Sequence, residues 1–191
     1  MTDEAKPEEL VTWDSDGGIA RITINSPATG NSLTGPMRDR LGDLMDLASE
    51  DLAVRCVVLT GAGDRHFCTG ANLAGPQPER PARPEGAPDR AMGDAARLIR
   101  RGWQRLVGSI LDCEKPVIAA VNGTAAGGGA QLVLACDLVV MADSAKLVEV
   151  FVRRGIIPDA GGAYLLPRIV GTHVAKELMF LAEDVPASRC A

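Results

Sequence analysis

Three consecutive glycines, Gly127, Gly128 and Gly129, constrain this chain more than any other feature. They fall inside residues 116–137, PVIAAVNGTAAGGGAQLVLACD. Ahead of them, Val117-Ile118-Ala119-Ala120-Val121 has the length and apolar character of a buried strand, and it breaks at Asn122-Gly123. Behind them, Ala130 to Ala135 reads as a helix. A strand must therefore turn into a helix through residues without side chains. Such a turn lets the backbone approach a ligand closely, and the unpaired N–H groups of the first helical turn point at it. With the positive end of the helix dipole behind them, those donors suit an anion or a developing oxyanion. Tight helix–sheet packing is the other use for the same glycines.

At 191 residues the chain is long enough for one domain with a full core. Apolar strand-like runs alternate with helix-like stretches, which favours an α/β layout. The core must be aliphatic, since the chain has only three Phe, two Trp and one Tyr. No apolar run is long enough to span a bilayer, and the opening MTDEAKPEEL is acidic and polar, unlike a signal peptide. A net charge of −5 without a basic patch argues against nucleic acid as partner. The five cysteines (Cys56, Cys68, Cys113, Cys136, Cys190) show no metal-ligand spacing. Reduced, mostly buried thiols in a cytoplasmic protein are expected, with no metal site.

Residues 1–9 read as a loose charged lead-in, and residues 10–191 as the domain. Leu10 to Asp14 and Ile19 to Asn25 each alternate about Ser15-Asp16-Gly17-Gly18, a hairpin pattern. Residues 34–50 form an amphipathic helix, with Met37, Leu41, Leu44, Met45 and Ala48 on one face and Pro36 in the first turn. Residues 75–90 hold five of the twelve prolines among mixed charges, and are expected as a mobile surface loop or a lid. A helix over 95–111 places Ile99, Trp103, Leu106, Val107 and Ile110 on its core face. Further on come a strand at 138–142, an extended stretch at 146–152, a short helix within 160–170 and a last helix capped by Thr172.

VVLTGAGDRHFCTGANL, the triple-glycine stretch and GIIPDAGGAYLLPRIVG resemble, in order and spacing, the crotonase (enoyl-CoA hydratase/isomerase) superfamily. The likeness runs from about Leu10 to the end. It implies a spiral of ββα units, an acyl-CoA substrate that brings its own coenzyme A, no other cofactor, and a homo-trimer or dimer of trimers if the family's C-terminal helices are present. The chain closes on VPASRCA, where family members enter the turn before their C-terminal helices, so the resemblance implies that this helical part is missing. It also assigns the two main-chain donors that hold a thioester enolate to Ala71 and Gly128. Preorganised amides of this kind are worth roughly 2.7–4 kcal/mol each. The coenzyme end is implied along Ala28 to Asn31, including Gly30, and along Thr69, Gly70, Asn72 and Leu73. Asn72 replaces the usual aspartate.

The acid/base groups depart from the hydratase pattern. Hydratases hold water between two glutamates, at the positions of Gln131 and Phe151 here. Both residues are expected to face the substrate, yet an amide takes no proton at neutral pH and a phenyl ring cannot deprotonate water. Glu149 is expected as a surface carboxylate, because reaching the site needs a register change. Asp159 stands where isomerase-type members place a single catalytic carboxylate; its other reading is a helix cap. The resemblance thus implies an enoyl-CoA isomerase with Asp159 as proton shuttle, its pKa raised by partial burial. The alternatives are a non-catalytic acyl-CoA binder, a hydratase with atypical acid/base residues, and a dehalogenase-like use of Asp159 as nucleophile. The last needs a histidine, and only His66 and His173 exist.

Overall fold

The computed structural model describes residues 6–73, 85–87 and 92–190. The proline-rich segment expected at 75–90 lies almost wholly outside the described residues, as do residues 1–5 of the lead-in. Within the rest of the lead-in, α1 (Pro7–Leu10) makes one helical turn, with proline in the first turn where its missing N–H costs nothing. The hairpin follows as β1 (Val11–Asp16) and β2 (Ile19–Ile24), antiparallel in register from Val11 opposite Ile24 to Asp16 opposite Ile19.

α2 (Gly35–Glu50) begins at Thr34, whose side chain accepts the Met37 N–H, and buries Met37, Leu41, Leu44, Met45 and Ala48 as their spacing predicts. Each of the larger of these removes enough apolar surface to contribute about 1.5–3 kcal/mol. Three strand pairs then rise in sequence: β3 (Cys56–Gly61) with β4 (His66–Cys68), β5 (Val117–Val121) with β6 (Thr124–Ala126), and β7 (Leu138–Met141) with β8 (Lys146–Val148). One member of each pair joins a five-stranded sheet of order β1-β2-β3-β5-β7. The other joins a four-stranded sheet of order β4-β6-β8-β9, closed by the antiparallel β9 (Val185–Pro186). Helices follow each pair: α3 (Met92–Arg101) and α4 (Trp103–Leu111), α5 (Gly128–Ala135), then α6 (Gly162–Val170) and α7 (Thr172–Leu181). A four-residue α8 (Ala187–Cys190) ends the described chain. This repetition is the ββα spiral that the resemblance implies.

The expected single helix at 95–111 is two. Gly102 leaves helical geometry (φ −99°, ψ −110°), and the break resets the phase of the apolar face. Leu106, Val107 and Ile110 stay buried, but Ile99 turns outward. Thr172 does not cap α7: it is the first helical residue, and Gly171 occupies the cap position. Nor are the thiols mostly buried. All five are free, but only Cys68 is buried; Cys56, Cys113 and Cys136 are half-buried and Cys190 is exposed. No helix among the described residues is long and apolar enough to cross a membrane, and none of their side chains cluster as metal ligands.

Candidate active site

Two loops meet where the two sheets hand over to helices. The first leaves β4 as Thr69-Gly70-Ala71-Asn72-Leu73. It is pinned to the segment before α2, with the Leu33 N–H donating to Gly70 O at 2.8 Å and the Asn72 N–H to Leu33 O at 2.9 Å. In such a parallel bridge the middle residue turns its own N–H to the opposite side. That residue is Ala71. The second loop leaves β6 through Gly127, which takes the left-handed side of φ (53°), and starts α5 at Gly128. Gly70 (φ 89°) lies so close that a Cβ there would stand 2.9 Å from Gly128 N. The glycines are thus required by close approach, and that approach sets the two amides beside one another. Among the described residues neither the Ala71 nor the Gly128 N–H has a hydrogen-bond acceptor.

Both amides line one cavity of about 680 Å³. Ala28, Thr69, Gly70, Asn72 and Leu73, expected at the coenzyme end, line it as well. Gly30 does not; its carbonyl accepts from the Thr69 N–H (3.2 Å) and hydroxyl (3.1 Å), so it supports the wall from behind. Next to it Asn31 is fully buried, in the left-handed region (φ 55°). Its side chain accepts from Ser26 N–H and donates to the carbonyls of Ala62 and His66. This buried amide ties three segments together, and only its tolerance for left-handed backbone hints at it in the sequence.

The far side of the cavity is built by a 3-10 turn (Val150–Arg154) and the chain to α6. Phe151 lines it, as expected, together with Arg154, Ile156 and Asp159. Trp103 packs against the core as expected and lines the cavity too: the break at Gly102 turns its ring onto Gly128, where any Cβ would overlap the indole. Asp159 is not a helix cap. Its carbonyl, not its carboxyl, accepts the Gly162 N–H at 2.8 Å, and the cap position of α6 is Gly161 with no side-chain bond. The left-handed Ala160 (φ 48°) and Gly161 (φ 86°) turn the chain at that point. A left-handed alanine is strained, and such strain persists only where the surroundings hold it. Among the described residues the Asp159 carboxyl has no side-chain partner, and partial burial raises its pKa above the ordinary value, opposed by its own backbone N–H.

Two residues lie elsewhere than expected. Gln131 is fully buried and does not line the cavity, and Glu149, expected at the surface, is only 1% exposed. Residue 149 follows β8 directly, and the 3-10 turn that begins at Val150 swings Phe151 outward to the cavity and Glu149 inward. Gln131 Nε2 donates to both Glu149 carboxylate oxygens at 2.9 Å. Burial pushes this carboxyl up to about 7, against the lowering effect of the Gln131 bond. Neither His66 nor His173 lines the cavity, so no imidazole stands there to activate water against an Asp159 ester.

The family model for enoyl-CoA hydratase/isomerase matches residues 14–190. The 1,2-epoxyphenylacetyl-CoA isomerase of Escherichia coli (strain K12) is 38% identical over 182 residues, 95% of this chain and 66% of that protein. The crotonyl-CoA hydratase of Syntrophomonas wolfei is 34% identical over 179 residues, 94% of this chain and 64% of that protein. A crystal structure of an enoyl-CoA hydratase from Bacillus anthracis superposes with a TM-score of 0.81 at 32% identity, covering 95% of this chain and 66% of that one. The chain therefore spans a little under two thirds of the length of the relatives it matches. With the spiral of strand pairs and the two facing glycine loops, these matches show that the chain belongs to the enoyl-CoA hydratase/isomerase family.

Proposed function

We propose that this chain forms the acyl-CoA site of an enoyl-CoA isomerase, with Asp159 as its one proton carrier. The observation that carries the reading is the inventory of the cavity wall. Among the described residues it offers two free main-chain donors and one carboxyl without a side-chain partner, while the positions that hold water in hydratases are occupied by Phe151 and by a Gln131 turned away. A relative named as an isomerase and others named as hydratases match this chain to similar degrees, so the reaction is argued from the residues.

In this reading the thioester oxygen of a 3-enoyl-CoA accepts from the Ala71 and Gly128 N–H groups. The Asp159 carboxylate removes a proton from C2, and the electron pair spreads over the dienolate to the thioester oxygen, where the two amides stabilise it without reorganisation. The neutral Asp159 then returns the proton to C4, and the double bond has moved to C2–C3. No water is consumed and no cofactor is required beyond the coenzyme A that the substrate carries. Phe151 and Trp103 exclude solvent from the dienolate. The same reading expects a cytoplasmic protein, and a homo-trimer or dimer of trimers where the C-terminal helices are present.

Product analysis tests it. Incubated with a 3-enoyl-CoA, the protein should accumulate the 2-enoyl isomer with little 3-hydroxyacyl-CoA. Rapid hydration of a 2-enoyl-CoA would make it a hydratase instead, and tight binding without conversion of either would leave a binding protein.

A further inference from the structure

Gln131 and Glu149 are buried, bonded to one another and unused by the reaction above. Their surroundings connect them to it. Gln131 Oε1 is buried and has no partner among the described residues. It lies against Gly162, where a Cβ would stand 2.5 Å from that oxygen. The Gly162 N–H donates in turn to the Asp159 carbonyl at 2.8 Å. On the other side, Glu149 is joined to Val148, whose carbonyl takes the Gly127 N–H at 3.0 Å, and to Val150 and Phe151 of the cavity wall.

We propose that Glu149 and Gln131 are a positioning pair for Asp159: the proton on Glu149 sets the hydrogen bonds of the Gln131 amide, and that amide supports the turn from which Asp159 reaches the cavity. The proposal rests on the reading of Asp159 as the proton carrier. When ionised, Glu149 can only accept, so Nε2 serves both of its oxygens and Oε1 is left unpaired. When neutral, its O–H can donate to Oε1 while its carbonyl oxygen accepts from Nε2, and every polar atom of the pair is satisfied. The exchange requires the amide to reorient directly beneath Gly162, which has no side chain to cushion it. The proton comes from and returns to solvent.

Glu149 has no competing charged partner among the described residues. α5 and β6 carry no charged residue facing it. On β8, Lys146 pairs with Asp184 at 2.5 Å. On the 3-10 turn, Arg153 is drawn to the Ala182 carbonyl and Asp184, and Arg154 lines the cavity. In α6, Arg168 donates to its own helix at Tyr164 O. On α7, His173, Lys176 and Glu177 are exposed. Titration of Glu149 therefore acts on Gln131 alone.

Carboxyl-labelled carbon NMR of the whole chain, with aspartate and glutamate enriched, reads this without any substrate. Glu149 should titrate near neutrality, and the Asp159 resonance should show a second inflection at the same pH. That inflection should vanish in Glu149→Gln, and in Gln131→Met while Glu149 still titrates. In the isomerisation assay, kcat for the wild type should follow the same ionisation, and Glu149→Gln should lose it. A single Asp159 titration curve, identical in wild type and variants, overturns the proposal. Absence of isomerisation in all proteins would count against the isomerase reading instead, and the NMR titration would still decide the coupling.

Discussion

Asp159→Asn should lower the rate of 3-enoyl-CoA isomerisation roughly 100- to 10,000-fold, the range a positioned acid/base group supplies. The amide is nearly isosteric and can neither take the C2 proton nor return one to C4. Binding of the acyl-CoA should change little, because in the proposed site Ala71 and Gly128 hold the thioester through main-chain groups. Stability should change by less than about 1 kcal/mol, since the carboxyl has no side-chain partner among the described residues. The wild-type rate should rise with pH through the ionisation of Asp159, whose pKa burial shifts upward, because only the ionised form accepts the first proton. Steady-state kinetics with one 3-enoyl-CoA across pH checks both parts. A variant within a few-fold of wild type removes Asp159 from the mechanism.

Gly129→Ala should be the most damaging glycine-to-alanine change among the described glycines. A Cβ at this position overlaps the Cys68 carbonyl, oxygen and carbon alike, and both are backbone atoms that cannot rotate aside. Cys68 is fully buried and immediately precedes Thr69-Gly70-Ala71, while Gly129 immediately follows Gly128. Relief of the overlap must separate α5 from β4 and with them the two amide donors. Overpacking alone costs about 1–3 kcal/mol and more where the backbone must move; here at least about 3 kcal/mol is expected. Gly108→Ala is the matched control. It lies within α4 with nothing in the path of a Cβ, so alanine should stabilise by about 0.5–1 kcal/mol through helix propensity. Denaturant unfolding of the two variants should move in opposite directions. Equal, small effects would mean that the strand–helix contact at Gly129 is looser than described.

Long periodic segments were legible in the sequence and short ones were not. The buried face of α2 follows from its 3.6-residue spacing, and β5 from its length and apolar run. β4 and β6 are only three residues each, too short to show a period, yet they place both donor loops. Motif resemblance supplied Ala71, Gly128 and Asp159, and the structure adds why the first two sit together: Gly70 and Gly129 remove the side chains that would keep the loops apart. Trp103 packs against the core as its place on the helical face predicts; that its ring also reaches the cavity is invisible to a helical wheel, which assumes an unbroken helix where Gly102 breaks this one. Glu149 departs from its expected place because charge suggests exposure, whereas this carboxyl is buried. Its burial comes from the end of β8, where Leu147, Val148 and Glu149 are enclosed in succession without alternation, and from Gln131 on a distant helix offering an amide to bond. Neither is visible in a local reading.

In the proposed reaction the Ala71 and Gly128 N–H groups converge on one thioester oxygen. Isotope-edited infrared spectroscopy of a carbonyl-labelled, non-isomerisable acyl-CoA bound to the protein measures that polarisation directly. Two donors of this kind should move the thioester carbonyl band to distinctly lower frequency than in water, and equally so in Asp159→Asn. A band at or above its aqueous position in the bound complex would contradict the account, because the carbonyl would then lie outside the reach of both amides.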